Sequence, residues 1–438
     1  MSEQTDTTPF WHLDRYKTDQ PATADGTYGP PKRPVHLTFE GDTLALLLRA
    51  LRDIVLTVLT LGFYRFWMIT RLRRFYWAAI HIDGDPLEYT GRPLEKLLGF
   101  LVALVVLALY LGLVNLGLVF AGLSLATDDP IMVQLVLQIS IISTLPLIFY
   151  ARYRAWQYQL ARTRWRGIRF GLEPGAWGYT ARALGLSLLT LVTFGLAYPY
   201  QQFVLARYIV NRASFGDLRF AQGGSWTELL WHWLYVYLIL GLLGVCAWGL
   251  IANPGDPMAA FLGVVAISIA STAASLLWYR YGVHAFRILW SERRLGETGF
   301  ENDVGVGRII AISVGGYIAV GAITIAFVVL FGMFFAIGLG RAVDPEAMRA
   351  VLETADVQTI LAVWPLLAGT AAVYLGAVAV AFALSQALIY RPILAAKVRA
   401  MQIEDVGALA ASRQRAREDA DEAGGFADAL GLDVGAGI

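Results

Sequence analysis

The sequence predicts an all-α polytopic membrane protein: six transmembrane helices, two short re-entrant or interfacial helices, and small strand-like turns on the cytoplasmic side. Three observations carry this. Of 438 residues, 57% are hydrophobic and only 16% are charged, where soluble proteins carry roughly a quarter charged residues. Mean hydropathy is +0.55. Six mostly apolar runs reach the ~20 residues that a helix needs to cross hydrocarbon. The same composition excludes a disordered chain. One cysteine, Cys246, excludes an intramolecular disulfide framework. A transmembrane β-barrel would alternate in segments of about ten residues.

Residues 1–35 are polar, are broken by Pro9, Pro21, Pro30, Pro31 and Pro34, and lack the apolar core of a signal peptide. They read as a disordered cytoplasmic tail. Full spans are expected at about 97–126, 131–150, 229–252, 258–279, 309–340 and 357–390. Two shorter apolar pieces, 44–64 and 183–200, remain. The first contains Arg49, Arg52 and Asp53; the second contains Gly195 and ends at Tyr198-Pro199. The tail at 404–438 carries mixed charge and then glycines, and reads as disordered or as a short exposed helix.

Charge decides how the short pieces sit. Segments 65–96 and 152–182 are rich in Lys and Arg, 207–228 and 280–308 are basic, and Arg391, Lys397 and Arg399 follow the last span. The connections 127–130 and 253–257 hold no Lys or Arg. Basic loops stay in the cytoplasm. If all eight apolar pieces crossed, the basic segments would fall on both sides. If the two short pieces enter and leave on one side, every basic segment is cytoplasmic, with both termini inside. Six spans is therefore the reading, with eight spans as the alternative.

The chain also repeats. Thr60-Leu61-Gly62-Phe63, Arg74-Phe75 and Gly84-Asp85 return as Thr193-Phe194-Gly195-Leu196, Arg207-Tyr208 and Gly216-Asp217, first at an offset of 133 residues. This divides the membrane part into a first repeat at 36–150, a second at 151–280 and a degenerate third unit at 281–403. Repeats are common in transporter folds, yet duplication also occurs in proteins that transport nothing.

The runs Leu59-Thr60-Leu61-Gly62-Phe63-Tyr64-Arg65-Phe66-Trp67, Thr70-Arg71-Leu72-Arg73-Arg74-Phe75-Tyr76-Trp77 and Asp83-Gly84-Asp85 with Glu88-Tyr89-Thr90-Gly91 resemble the YjgN-type bacterial inner-membrane family. So do Arg162-Thr163-Arg164-Trp165-Arg166-Gly167-Ile168-Arg169-Phe170 and Asn211 with Phe215-Gly216. The likeness runs from about 36 to 400. It implies a multi-pass protein of the bacterial cytoplasmic membrane, in a family without an established activity. The family's usual Ala-Lys after Phe66-Trp67 is here Met68-Ile69.

No phosphate-binding glycine loop, His-Glu-x-x-His pair or nucleophile elbow occurs. Five scattered histidines and one cysteine offer no metal-ligand spacing. No cofactor, metal or catalytic group is expected, and the protein reads as non-enzymatic. The strongest chemical signal is arginine among aromatics. Arg71, Arg73, Arg74, Arg162, Arg164, Arg166 and Arg207, with Trp165, form a belt suited to anionic headgroups, since Arg pairs with phosphate and Trp prefers the headgroup layer. At strand spacing, Arg162, Arg164 and Arg166 would share one face. The plainer reading of the belt is topology and interface anchoring. Arg49, Arg52 and Asp53 are either functional charges at membrane depth or headgroup contacts of a helix lying flat. Glu228 and His232, four residues apart, suit helix capping or a proton relay.

The expected partners are membrane phospholipids, not nucleic acid, and a homo-oligomer is compatible with the sequence. A small-solute or lipid transporter or channel is the alternative function, and a lipid-modifying enzyme comes last. One arrangement separates the first two. If Arg49, Arg52, Asp53 and His232 share a cavity, transport gains; if they point to separate headgroup zones, lipid binding gains.

Overall fold

A computed structural model describes residues 34–125, 134, 138–139, 142–252, 257–339, 364–410 and 412–414. The expected tail before 34 lies outside these residues, as do the non-basic turns near 127–130 and 253–256 and the end of the chain. Eight of the twenty residues of the expected span 131–150 lie outside them too.

The elements alternate between hairpins of strand and pairs of helices. In chain order they are β1 (Val35–His36), β2 (Thr38–Phe39), α1 (Thr43–Leu59), α2 (Arg65–Ala78), β3 (Ile80–Ile82), β4 (Asp85–Tyr89) and α3 (Pro93–Tyr110). A π turn, Leu111–Asn115, then leads into α4 (Leu116–Leu125). Next come α5 (Leu145–Ala161), β5 (Thr163–Trp165), β6 (Ile168–Leu172), α6 (Ala176–Val192), α7 (Tyr198–Val210), β7 (Ala213–Phe215), β8 (Leu218–Gln222), α8 (Trp226–Ala252) and α9 (Pro257–Ser291). The chain continues through β9 (Arg293–Leu295), β10 (Thr298–Asn302), α10 (Val306–Leu339) and α11 (Trp364–Ser385). A π turn, Gln386–Tyr390, joins α11 to α12 (Arg391–Arg399), followed by β11 (Met401–Ile403) and α13 (Val406–Ala410).

The strands form one antiparallel sheet of eleven, ordered β1-β11-β10-β9-β8-β7-β6-β5-β4-β3-β2. Its two ends, β1 and β2, are neighbouring pieces of a single segment. Val35 pairs with Ile403, and four residues later Phe39 pairs with Ile80. The sheet thus returns on itself as a nearly closed ring. Four two-residue turns make its hairpins. Asp83-Gly84 and Arg166-Gly167 have positive φ at both positions, while Gly216 and Gly296 have it at the first. These are the two turn chemistries whose twist suits a tight hairpin.

Side chains alternate along the strands. Ile80, Ile82, Tyr89, Trp165, Phe215, Leu295, Phe300 and Ile403 are buried in one apolar cluster, into which Val406 and Leu409 of α13 also pack. An aromatic file crosses it, Phe170 to Phe215 at 4.8 Å and Phe220 to Phe300 at 6.2 Å between ring centroids. The intervening residues, among them Glu88, Arg219, Arg294 and Glu301, are exposed. Period-two patterning of this kind is what a sheet with a dry interior and a wet exterior requires.

Helices leave the ring in pairs and return to it. α8 packs along α9, α10 along α11, and α11 against α1. Five stretches among the described residues are long and apolar enough to cross a membrane: Pro93–Phe120, Trp226–Gly249, Phe261–Ser291, Val306–Phe335 and Leu367–Arg399. Their apolar side chains are largely exposed, Phe120 to 74% and Phe334 to 79%, as hydrocarbon contact demands.

The two short apolar pieces form the outgoing arms and tips of helical hairpins, α1–α2 and α6–α7. Each begins and ends at the ring. α1 has 17 residues and so reaches about 25 Å, short of the ~30 Å hydrocarbon thickness. The tips match: Leu61 and Phe194 have φ of 51° and 50°, and Gly62 and Gly195 have φ of 94°. In both, the glycine N–H donates 2.7 Å to a threonine carbonyl, of Thr57 or Thr190.

Three expectations need correction. The start of the 404–438 tail is neither disordered nor an exposed helix, because Val406 and Leu409 of α13 are buried against the ring. The fold is mostly helical but not all-α, because the strand-like turns pair around the whole molecule. Arg162, Arg164 and Arg166 do not share a strand face: Arg162 caps α5, Arg166 sits in a hairpin turn, and only Arg164 lies in β5. A three-residue strand is too short for its spacing to place flanking residues.

Candidate functional site

An open cleft of about 420 Å³ lies on the flank of the first helical hairpin. It is lined by Arg49, Arg52 and Asp53 of α1, by Arg71, Arg74 and Phe75 of α2, and by Glu40 at the ring. Spacing explains the convergence. Arg49, Arg52 and Asp53 are three and four residues apart, hence on one face of α1; Arg71, Arg74 and Phe75 repeat that spacing on α2. Asp42 starts α1 by accepting from the N–H groups of Leu44 and Ala45, and the Gly62 tip folds α2 back against it.

Asp53 is 1% exposed and holds the two arms together. One carboxylate oxygen accepts from Arg52 at 2.9 Å and from Arg71 at 3.0 Å. Arg71 also donates to the Tyr64 hydroxyl. The hydrogen bond and charge of Asp53 raise the Arg52 guanidinium above its ordinary pKa. Arg49 lies 5.8 Å from the Phe75 ring centre. Arg74 donates to the Gly91 carbonyl at 2.9 Å. Neither Arg49 nor Arg74 has a carboxylate partner among the described residues. Four guanidinia against two carboxylates leave the cleft net positive. Such an arrangement can hold an oxyanion through bidentate hydrogen bonds.

The rest of the arginine belt is dispersed. Arg162 pairs with Glu95 at 2.9 Å. Arg166 bridges two turns, reaching Asp83 at 3.0 Å and Asp85 at 2.5 Å; the Asp85 hydrogen bond, then that of Asp83, raises its pKa. Arg164 faces Glu88 and Arg169 across the sheet. Arg207 is exposed on α7. Two members are buried: Arg73, packed over Tyr89, and Trp165, 1% exposed inside the ring. Alternation along β5 turns Trp165 inward, away from any headgroup.

Glu228 lies in the first turn of α8, where a carboxylate suits the helix dipole. His232 Nδ1 donates to the Glu228 backbone carbonyl, 3.0 Å away, and its ring lies 4.2 Å from that of His284. Arg49, Arg52 and Asp53 therefore converge while His232 stands on another helix pair. Among the described residues no three His, Cys, Asp or Glu side chains are grouped to hold a metal ion.

Sequence reasoning passed over Glu40 and Phe75 in the first cleft, and Arg182 and Arg212 in the second hairpin. A signal existed for Arg182: it stands 133 residues after Arg49, the offset that relates Arg74 to Arg207.

No curated protein and no solved structure matches the chain. A family model described as a bacterial protein of unknown function (DUF898) matches residues 34–359. That range takes in both short hairpins, the cleft and four of the ring's β-hairpins, and the YjgN-type likeness is consistent with it. The chain belongs to this bacterial family.

Proposed function

We propose that the protein is a non-enzymatic multi-pass protein of the bacterial cytoplasmic membrane that binds anionic phospholipid headgroups in the Arg49–Arg52–Arg71–Arg74 cleft. The ring and both chain termini lie on the cytoplasmic side. The carrying observation is the convergence of four guanidinia beneath an apolar tip. Leu59, Leu61 and Phe63 at that tip are 73%, 92% and 60% exposed, a surface that needs hydrocarbon to cover it. Asp53 stands seven residues before Thr60, or about 10 Å along the helix. A tip immersed in acyl chains holds the cleft at headgroup level, where phosphate is abundant and Arg side chains reach it.

The test is thermal stability in neutral detergent. Phosphatidylglycerol is expected to raise the Tm of the wild type more than phosphatidylcholine does. The double variant Arg49→Gln, Arg74→Gln is expected to lose most of that difference. Equal response in wild type and variant would overturn the reading. For topology, a Cys246→Ser background with Asp217→Cys should label only from the cytoplasmic side, and one with Asp128→Cys only from outside.

Transport of a small anion is the second reading, favoured by the convergence of Arg49, Arg52 and Asp53. It requires phosphate flux in proteoliposomes that Arg49→Gln with Arg74→Gln abolishes.

A further inference from the structure

We infer that the second helical hairpin carries a second phosphate-binding cleft, built from Arg182, Arg207 and Arg212. It is independent of the first cleft and shares with it only the reading that the hairpin tips enter the acyl layer.

The two hairpins correspond residue by residue at an offset of 133. Arg49 becomes Arg182, Arg74 becomes Arg207 and Phe75 becomes Tyr208. In each, the first arginine of the outgoing helix stacks on the aromatic of the returning one: Arg49 at 5.8 Å from Phe75, Arg182 at 4.8 Å from Tyr208. A concavity of about 220 Å³ opens at the same place, lined by Arg182, Val204, Arg207, Tyr208, Asn211 and Arg212.

The differences matter as much. Where the first hairpin has Arg52, Asp53 and Arg71, the second has Gly185, Leu186 and Val204. The internal ion cluster is gone, and no acid lines the second cleft. Yet its cations are drawn together. Arg212 lies 3.8 Å from the Tyr208 ring centre, so two guanidinia crowd one ring. Tyr208 is fixed there, because its hydroxyl donates to the Gly175 carbonyl at 2.9 Å. A Cβ on Gly178 would meet that hydroxyl at 2.4 Å. Glu173, whose backbone N–H donates to the Arg212 carbonyl, gives its carboxylate to Arg219 at 2.6 Å. None of Arg182, Arg207 and Arg212 has a carboxylate partner among the described residues. Like charges held at one ring, with no acid beside them, favour an anion between them. Planar guanidinia with the Asn211 amide suit a phosphate group.

The ligand class is a phosphate monoester or diester, from a lipid headgroup or as free phosphate. Full-length protein in neutral detergent is titrated with phosphatidylglycerol, and retained lipid is counted by native mass spectrometry. The wild type should retain two molecules. Arg182→Gln with Arg207→Gln should retain one, and Arg49→Gln with Arg74→Gln should retain the other. The sites are exposed, so the fold should survive. If Tm nevertheless drops, Arg182→Lys with Arg207→Lys keeps the charge and should bind about tenfold more weakly. Displacement of one lipid by millimolar inorganic phosphate would make free phosphate the ligand of that cleft; no displacement makes it the headgroup. Retention by the Arg182/Arg207 glutamine variant equal to wild type overturns the second cleft. If the Arg49/Arg74 variant still loses one lipid in that case, the first cleft stands alone. No retention by wild type overturns both.

Discussion

Asp53 is the residue on which the first hairpin turns. It is buried, yet its two arginine partners are 57% and 44% exposed, so water screens much of the pairing. Asp53→Asn keeps the shape and removes the charge. It should cost on the order of 1 kcal/mol, read as a lower Tm in detergent. It should also tighten phosphatidylglycerol binding at the first cleft, because Arg52 and Arg71 are released to the ligand. Unchanged Tm and unchanged affinity would remove Asp53 from both roles. The sequence exposes this residue as an anomaly, a carboxylate in an apolar helix, but does not name its partner. Arg71 is eighteen positions away, and only the fold-back at Gly62 brings it within reach. For Trp165 the opposite holds: an aromatic among arginines reads as an interface anchor until the β5 register turns it inward.

At the scale of elements, the tips are the sharpest point of sequence control. Gly62 and Gly195 adopt φ of 94°, and a Cβ there would touch nothing. The cost of Gly62→Ala is therefore conformational alone, about 1 kcal/mol, and the same is expected for Gly195→Ala. Equal drops in Tm for the two would support equivalent tips. The short helices at 44–64 and 183–200 were legible from their apolar runs; the fold-back of a second helix on each was not. Short strands were legible after Gly84 and Gly216, where β4 and β8 lie; the other strands and the ring they form were not. Two to five residues give too few alternations to separate a strand from a turn, and the pairing that defines them is remote in sequence. Gly84-Asp85 and Gly216-Asp217 signalled turns; nothing local signalled that all the turns belong to one sheet.

For the molecule as a whole, the ring ties the helix pairs to a common base. At the seam between β1 and β2, the Leu37 N–H donates to the Met401 carbonyl at 3.1 Å. Leu37→Pro removes that donor and should open the seam. Hydrogen exchange should then rise at 80–82 and 401–403 while the hairpins β5–β6 and β7–β8 stay protected. Uniform protection would mean that the seam is not needed to hold the sheet.

That seam also sets an order of events during synthesis. Residues 35–39 leave the ribosome long before one of their two partners, Met401–Ile403. Until then the growing sheet carries unpaired edges at β1 and β10, a state prone to mispairing. All five described helices long and apolar enough to cross a membrane begin before residue 401, so they are made before the ring can close. A chain ending before residue 401 would therefore carry its helices on an unsealed ring.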